Sequence, residues 1–186
     1  MASFWTDATA QPKRNYRFRV TISGFASNES VVWWVKSFKP PSFELSEATH
    51  EHLDNKFYFP GRVTWNECSM TLVDPVTPNA VQMTNQLLID SGYIVKGAGA
   101  TAQTVNRTMA NNALGGLGGV VVEILDATGN AIETWTLMNP FIKSVAFSDL
   151  AYDNDDLRTI DVGFRYDWAT CANQDANQSY PTQFEP

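Results

Sequence analysis

The sequence predicts a mainly β protein: an antiparallel β-sandwich or barrel of about eight strands with one flanking helix. Three observations lead there. Short segments that alternate apolar and polar residues recur along most of the chain. Clusters of Gly, Pro, Asn and Asp separate them. Only one segment has helical spacing. No repeat and no linker divides residues 1–186, so a single domain is expected.

The first strand spans residues 16–24, with Tyr16, Phe18, Val20 and Ile22 on one face and Arg17, Arg19, Thr21 and Ser23 on the other. Residues 30–39 form the second, apolar on both faces at Val32, Trp33, Trp34 and Val35. Pro40 and Pro41 end it, because proline cannot donate to a sheet ladder. Residues 42–49 alternate again. The stretch FYFPGRVTW at 57–65 reads as an aromatic loop, a Pro60-Gly61 turn and the start of a long strand over 63–74. In that strand Val63 and Trp65 sit at odd positions and Cys68, Met70 and Leu72 at even ones. The phase change predicts a bulge or strong twist near Asn66.

The helix is expected over about 77–91, with Thr77 as N-cap and Pro78 in the first position. Ala80, Val81, Thr84, Leu87 and Leu88 make its apolar face. Asn79, Gln82, Asn85, Gln86 and Asp90 make its polar face, and Gly92 suits the C-terminal end. Residues 97–119 are rich in Gly, Ala and Asn, with little to bury. They read as a long loop that orders only against a neighbour. Strands follow at 120–127, 131–138 and 141–148, then an acidic turn at 149–156 and a last strand at 157–168. In that strand Ile160, Val162, Phe164, Tyr166 and Trp168 share a face.

The formal net charge of −7 argues against a nucleic-acid binder, whose affinity comes from Lys and Arg on phosphates. It leaves room for a surface that nucleic acid slides past. No stretch approaches the roughly 20 apolar residues of a membrane span. The N-terminus lacks a signal-peptide core, so synthesis in a cytoplasm without secretion is expected. Cys68 and Cys171 are too few for a disulfide framework and read as reduced thiols, Cys68 buried in a strand.

The catalytic inventory is poor. His50 and His52 would need an acid such as Glu51, Asp54 or Asp149 to hold a metal, and nothing else supports one. Asp149, Asp153, Asp155 and Asp156 lack the spacing of a calcium loop. The glycines at 115–119 precede a strand, not the helix that a phosphate loop needs. No enzyme activity, metal or cofactor is expected. What is unusual is the aromatic content: six Trp, six Tyr and eleven Phe. Either these fill a two-sheet core, or some mark a contact surface. Phe57, Tyr58 and Phe59 are the candidates for the second role.

Three segments resemble the tail tube proteins of contractile-tailed phages and related contractile injection systems. KPPSFELSEATHEHLDNKFYFPGRVTWNECSMTLVDP has that family's proline break, Glu-bearing strand, aromatic-Pro-Gly-Arg loop and Trp-containing strand. ETWTLMNPFIKSVAFSDLAYDNDD is similar to its Asn-Pro corner, and LRTIDVGFRYDW to its closing strand. The resemblance covers most of residues 14–168. It implies hexameric rings that stack into a hollow tube, assembled in the host cytoplasm and carried in the virion tail. It implies as partners further copies of the chain, the sheath, tape-measure protein, baseplate and tail terminator, with DNA passing through unbound. On this reading a loop at about 47–61 contacts neighbouring subunits or rings through Phe57, Tyr58, Phe59, Pro60 and Arg62. Lumen acids would come from Glu44, Glu47, Glu67, Glu123 and Glu133. The helix face at Asn79, Gln82, Asn85, Gln86 and Asp90 would meet the sheath. The rival readings are the DNA-free inner tube of a phage-derived injection particle and a carbohydrate-binding module displaying Trp33, Trp34, Trp65 and Trp135.

Overall fold

Ten strands and two helices make up the computed structural model, which describes residues 12–25, 34–77, 79–93, 104–116, 119–153 and 155–173. In order they are β1 (Phe18–Ile22), β2 (Val35–Lys39), β3 (Phe43–His52), β4 (Asn55–Trp65), β5 (Cys68–Val73), α1 (Ala80–Asp90) and α2 (Arg107–Ala113). Then come β6 (Val120–Leu125), β7 (Ala131–Met138), β8 (Phe141–Phe147), β9 (Thr159–Arg165) and β10 (Trp168–Asn173). Val32, Trp33, Pro78, residues 97–103 and 117–118, and the tail beyond Asn173 lie outside the described residues.

The predicted class holds: all strand pairs are antiparallel, in two four-stranded sheets and one separate hairpin. One sheet runs β1-β6-β7-β10 and the other β2-β5-β9-β8. Their inner faces meet in one core. Val20, Ile22, Val120, Val122, Leu137 and Ala169 come from the first sheet. Cys68, Met70, Leu72, Ile160, Val162 and Phe164 come from the second. Alternation explains the selection: in β5 and β9 every second residue is buried, and the buried ones are cross-strand partners.

Two long strands foreseen from the sequence are each broken. Residues 63–74 divide at Asn66-Glu67, and residues 157–168 divide at Tyr166-Asp167. The phase change near Asn66 is therefore neither a simple bulge nor a twist. There the chain leaves the hairpin and enters the second sheet. At Tyr166-Asp167 it crosses from the second sheet to the first. Each crossing is pinned by backbone: Asn66 N–H donates to the Ser42 carbonyl (2.8 Å), and Asp167 N–H to that of Met138 (3.1 Å). The Asn-Pro corner supports the second crossing. Asn139 adopts φ 52° and donates from Nδ2 to the Asp167 carboxylate (2.8 Å).

The helix α1 begins two residues later than foreseen. Asn79, not Thr77, is its N-cap, accepting from Gln82 N–H at 2.9 Å. Ala80, Thr84 and Leu87 face the core, whereas Leu88 is exposed. Gly92 follows the helix with φ +98°, a conformation that L side chains rarely adopt. The segment at 97–119 is not simply a loop awaiting a neighbour. Its described part folds on its own domain as α2. Ala110 and Leu114 are buried, and the Leu114 carbonyl accepts from Gly24 N–H (3.1 Å).

Phe164 is fully buried and pairs with Cys68. Replacing it with Ala is expected to cost about 3–5 kcal/mol of unfolding free energy, read as a lower denaturant midpoint.

Candidate assembly surface

Strands β3 and β4 form a two-stranded sheet that pairs with neither large sheet. All ten residues of β3 are exposed, and all of β4 except Trp65. A ten-residue strand rises about 33 Å, so the hairpin extends well clear of the sandwich. The segment 47–61, expected to be a loop, is instead a hairpin. Its residues are strand on both sides of a tight turn at Leu53-Asp54, and Pro60-Gly61 lies inside β4. A Pro-Gly pair usually makes a turn, which is the conformation its chemistry predicts at 60–61. Here the pair accommodates a register shift. Ser46 faces Gly61 and Arg62 together, between the Leu45–Val63 and Glu47–Pro60 pairs. Arg62 N–H donates to Ser46 Oγ at 2.8 Å. A Cβ at Gly61 would lie 2.3 Å from that oxygen and 2.9 Å from the Ser46 carbonyl. Only glycine allows this approach.

Cross-strand partners share a face. His50 pairs with Phe57 and Ala48 with Phe59, which puts those two aromatics on one face. Thr49 pairs with Tyr58, Glu47 with Pro60 and Leu45 with Val63, placing Tyr58 and the aliphatic pair on the other. Phe57, Tyr58 and Phe59 are 49%, 62% and 55% exposed. Leu53, at the tip, adopts φ 54°, uncommon for a residue with a branched side chain. Each face therefore presents large apolar side chains that no described residue covers. The hairpin is held at its root. Phe43 meets Trp65 edge-on at 5.3 Å, and Trp65 meets Tyr166 at 6.0 Å. Asn66 Nδ2 reaches Ser42 Oγ (3.3 Å) and Glu44 Oε1 (3.1 Å). Leu45 and Val63 add to the expected contact residues; alternation along their strands places them, but only their cross-strand pairing brings them together.

The five glutamates divide into two groups. Glu44 and Glu47 stand exposed on β3. The other three have cationic partners. Glu67 lies in the β4–β5 junction beside Lys143 and Arg165, Glu123 accepts from Arg19 Nε (2.5 Å), and Glu133 pairs with Lys13. The Lys143 ammonium holds the Glu67 carboxyl below its ordinary range. Burial alone would raise Glu133, but Lys13 and the Trp135 indole, 2.5 Å away, together hold it low. Asn79, Gln82, Asn85, Gln86 and Asp90 are all exposed on α1, with Gln86 donating to Asp90 at 2.9 Å. Leu88 and Ile89 share that outer surface.

His50 and His52 stand near the hairpin tip, opposite Phe57 and Asn55. Among the described residues no group of His, Cys, Asp and Glu could hold a metal, and no helix is long and apolar enough to cross a membrane. Cys68 is buried, and burial pushes its thiol up to about 11. Trp34, Trp65 and Trp135 are half-buried rather than displayed, which disfavours a sugar platform.

Folded-state carboxyls held low make stability rise with pH. The contribution of Glu67 and Glu133 is present above the ordinary Glu range near pH ~4.3 and lost as pH falls below it. Glu67→Gln is expected to flatten the acid limb of a plot of denaturation midpoint against pH, leaving the limb above pH ~6 parallel to the wild type.

No family model and no curated protein sequence matches the chain. Solved structures do. A chain of the anti-feeding prophage tube terminating cap superposes with a TM-score of 0.61 and 15% identity, over 93% of this chain and 99% of that one. A chain of the anti-feeding prophage baseplate gives 0.60 and 12%, over 90% and 99%. One from the sheath–tube complex of the extracellular contractile injection system PVC gives 0.57 and 14%, over 93% and 99%. Over nearly its whole length, then, the chain has the tail-tube-like fold seen in subunits of contractile injection systems.

Proposed function

We propose that this protein is a structural subunit of a tail tube, working by self-assembly and not by catalysis. Copies close into hexameric rings, the rings stack, and the hollow stack conducts cargo. One observation carries the reading: a hairpin tens of ångströms long, with large apolar side chains exposed on both faces and none of the described residues covering them. An isolated two-stranded ribbon is marginal in water. Contiguous exposed apolar surface of this kind marks a protein interface. Two faces call for two covers, so each hairpin is completed by more than one neighbour. Phe57 and Phe59 anchor one cover; Tyr58, Pro60 and the Leu45–Val63 pair anchor the other. The shared fold supports the choice of a tube by analogy.

The likeness to injection-system subunits favours a phage-derived injection particle; a DNA-ejecting phage tail is the second form of the same reading. In either form the chain would meet the sheath through the polar face of α1, the tape-measure protein in the lumen, and the baseplate and terminator at the tube ends. Repulsion of a DNA backbone by lumen acids would rest mainly on Glu44 and Glu47. The charges of Glu67, Glu123 and Glu133 are offset within the chain.

Negative-stain electron microscopy of the concentrated protein tests this. Rings or rods with sixfold symmetry are expected from the wild type. Phe57→Ser with Phe59→Ser should keep the thermal midpoint and lose the rods. Normal rods from that variant would refute the anchor role, and a wild type that stays monomeric at every concentration would count against the tube.

A further inference from the structure

On one side of the sandwich the two large sheets stand apart. Strand β1 ends the first sheet and β2 ends the second, and the two do not pair with each other. Between them lies a cleft of about 520 Å³. Its floor is the rim of the core. Phe18, Val122, Ile124 and Trp135 line it from the first sheet, where register places all four on the core side. Phe38 lines it from the second. The register of β2 slips between Val35 and Ser37, so Val35 and Phe38 both stand opposite buried residues, Leu72 and Met70. Lys36 is left in the bulge, which turns it to the cleft.

The rim of the cleft is basic, in a chain whose net charge is −7. Lys13, Arg14 and Arg17 stand on the side of the first sheet and Lys36 on that of the second. Lys13 pairs with Glu133. Arg17 rests over the Tyr16 ring at 5.4 Å. Arg14, Arg17 and Lys36 form no ion pair with a described acid. The cleft also shows how it holds a carboxylate. The Trp135 indole donates to one oxygen of Glu133 at 2.5 Å, and the Lys13 ammonium meets the other.

We propose that this cleft binds an acidic peptide in extended conformation, with apolar and acidic residues in alternation. An extended chain points successive side chains to opposite sides. Its apolar side chains enter the floor, and its carboxylates emerge between the cations of the two sheets. A ligand with a single carboxylate would leave most of the rim unmatched, whereas a peptide with several matches both sides. Nucleic acid would match the charge through its phosphates. Its bases, however, need aromatic rings set on an open platform, and here the rings lie between two sheets. The site is complete within one chain and does not rest on the tube reading.

Titration of the full-length protein against short fluorescently labelled peptides, read by anisotropy, is the test. A peptide alternating Asp and Leu is expected to bind, and to bind more weakly as salt is raised. The same peptide with Asn for Asp, or with Ser for Leu, should not bind. Arg14→Glu with Lys36→Glu is expected to weaken binding about tenfold or more. Both side chains are exposed, so the wild-type melting curve should be kept. If the reversal perturbs folding, Arg14→Gln with Lys36→Gln should weaken binding in the same direction. A wild type that ignores the Asp-Leu peptide, or unchanged affinity in a folded variant, overturns the proposal. Equal binding of the Asn peptide also overturns it, since only apolar adsorption would remain. Binding of oligodeoxythymidylate in place of the peptide would assign the rim to nucleic acid instead.

Discussion

The Trp65 indole sits where the exposed hairpin meets the buried sandwich. It touches Phe43 on the hairpin side and Tyr166 on the core side, both edge-on. Next to it Asn66 ties the returning chain to Ser42 and Glu44. These contacts decide the direction in which a long ribbon leaves the domain. A ribbon free to swing would lose much orientational entropy on meeting a partner, and rigidity at the root removes part of that cost beforehand. The same residue marks the sheet change: β4 ends on it, and three residues later β5 begins in the second sheet.

Much of the sandwich was legible in the sequence because its signal is local. Val20 and Ile22, the even residues of 68–72, and Ile160, Val162 and Phe164 follow alternation into the core. The misreadings have a common physical source. A strand that changes sheet keeps its β propensity and only slips phase, so 63–74 read as one strand with a bulge. At 157–168 even the phase is kept through Tyr166, which is buried, and the break at Asp167 leaves no periodic trace. Pro60-Gly61 has turn chemistry but serves a bulge, because Ser46 opposite needs the space. Segment 97–119 hid a helix, since the residues it buries, Ala110 and Leu114, are sparse in a small-residue background. The candidate surface was partly visible as an excess of aromatics. The cations that offset its glutamates were not: Arg19 and Lys13 lie 104 and 120 residues away from theirs.

That pairing changes what the net charge of −7 means. Strand acids on the sheets are largely neutralised where they stand, so the surplus lies on loops and on the hairpin. At physiological salt the screening length is about 8 Å. Repulsion between copies therefore acts only where loops come close. A net charge of this size favours solubility of the single chain. The chain can still associate where apolar area and a local cation outweigh the repulsion. Exposed ion pairs such as Lys56–Glu51 contribute little to the fold itself, and their use is to keep charge from accumulating on an apolar ribbon.

A ribbon whose outer edges pair with no other described strand is also an aggregation hazard, since unpaired N–H and C=O groups invite any extended chain. Three features of this hairpin work against edge pairing. Pro60 removes a donor from β4, the shift at Ser46–Gly61 twists the strand there, and charged Glu44, Glu47, Glu51, Lys56 and Arg62 interrupt the apolar run. None of the three obstructs the faces. Sideways strand addition is thereby disfavoured relative to face contact. Face contact demands a partner of matching shape, whereas edge pairing demands only an extended backbone. The composition of the hairpin thus favours a face partner of matching shape over promiscuous strand exchange.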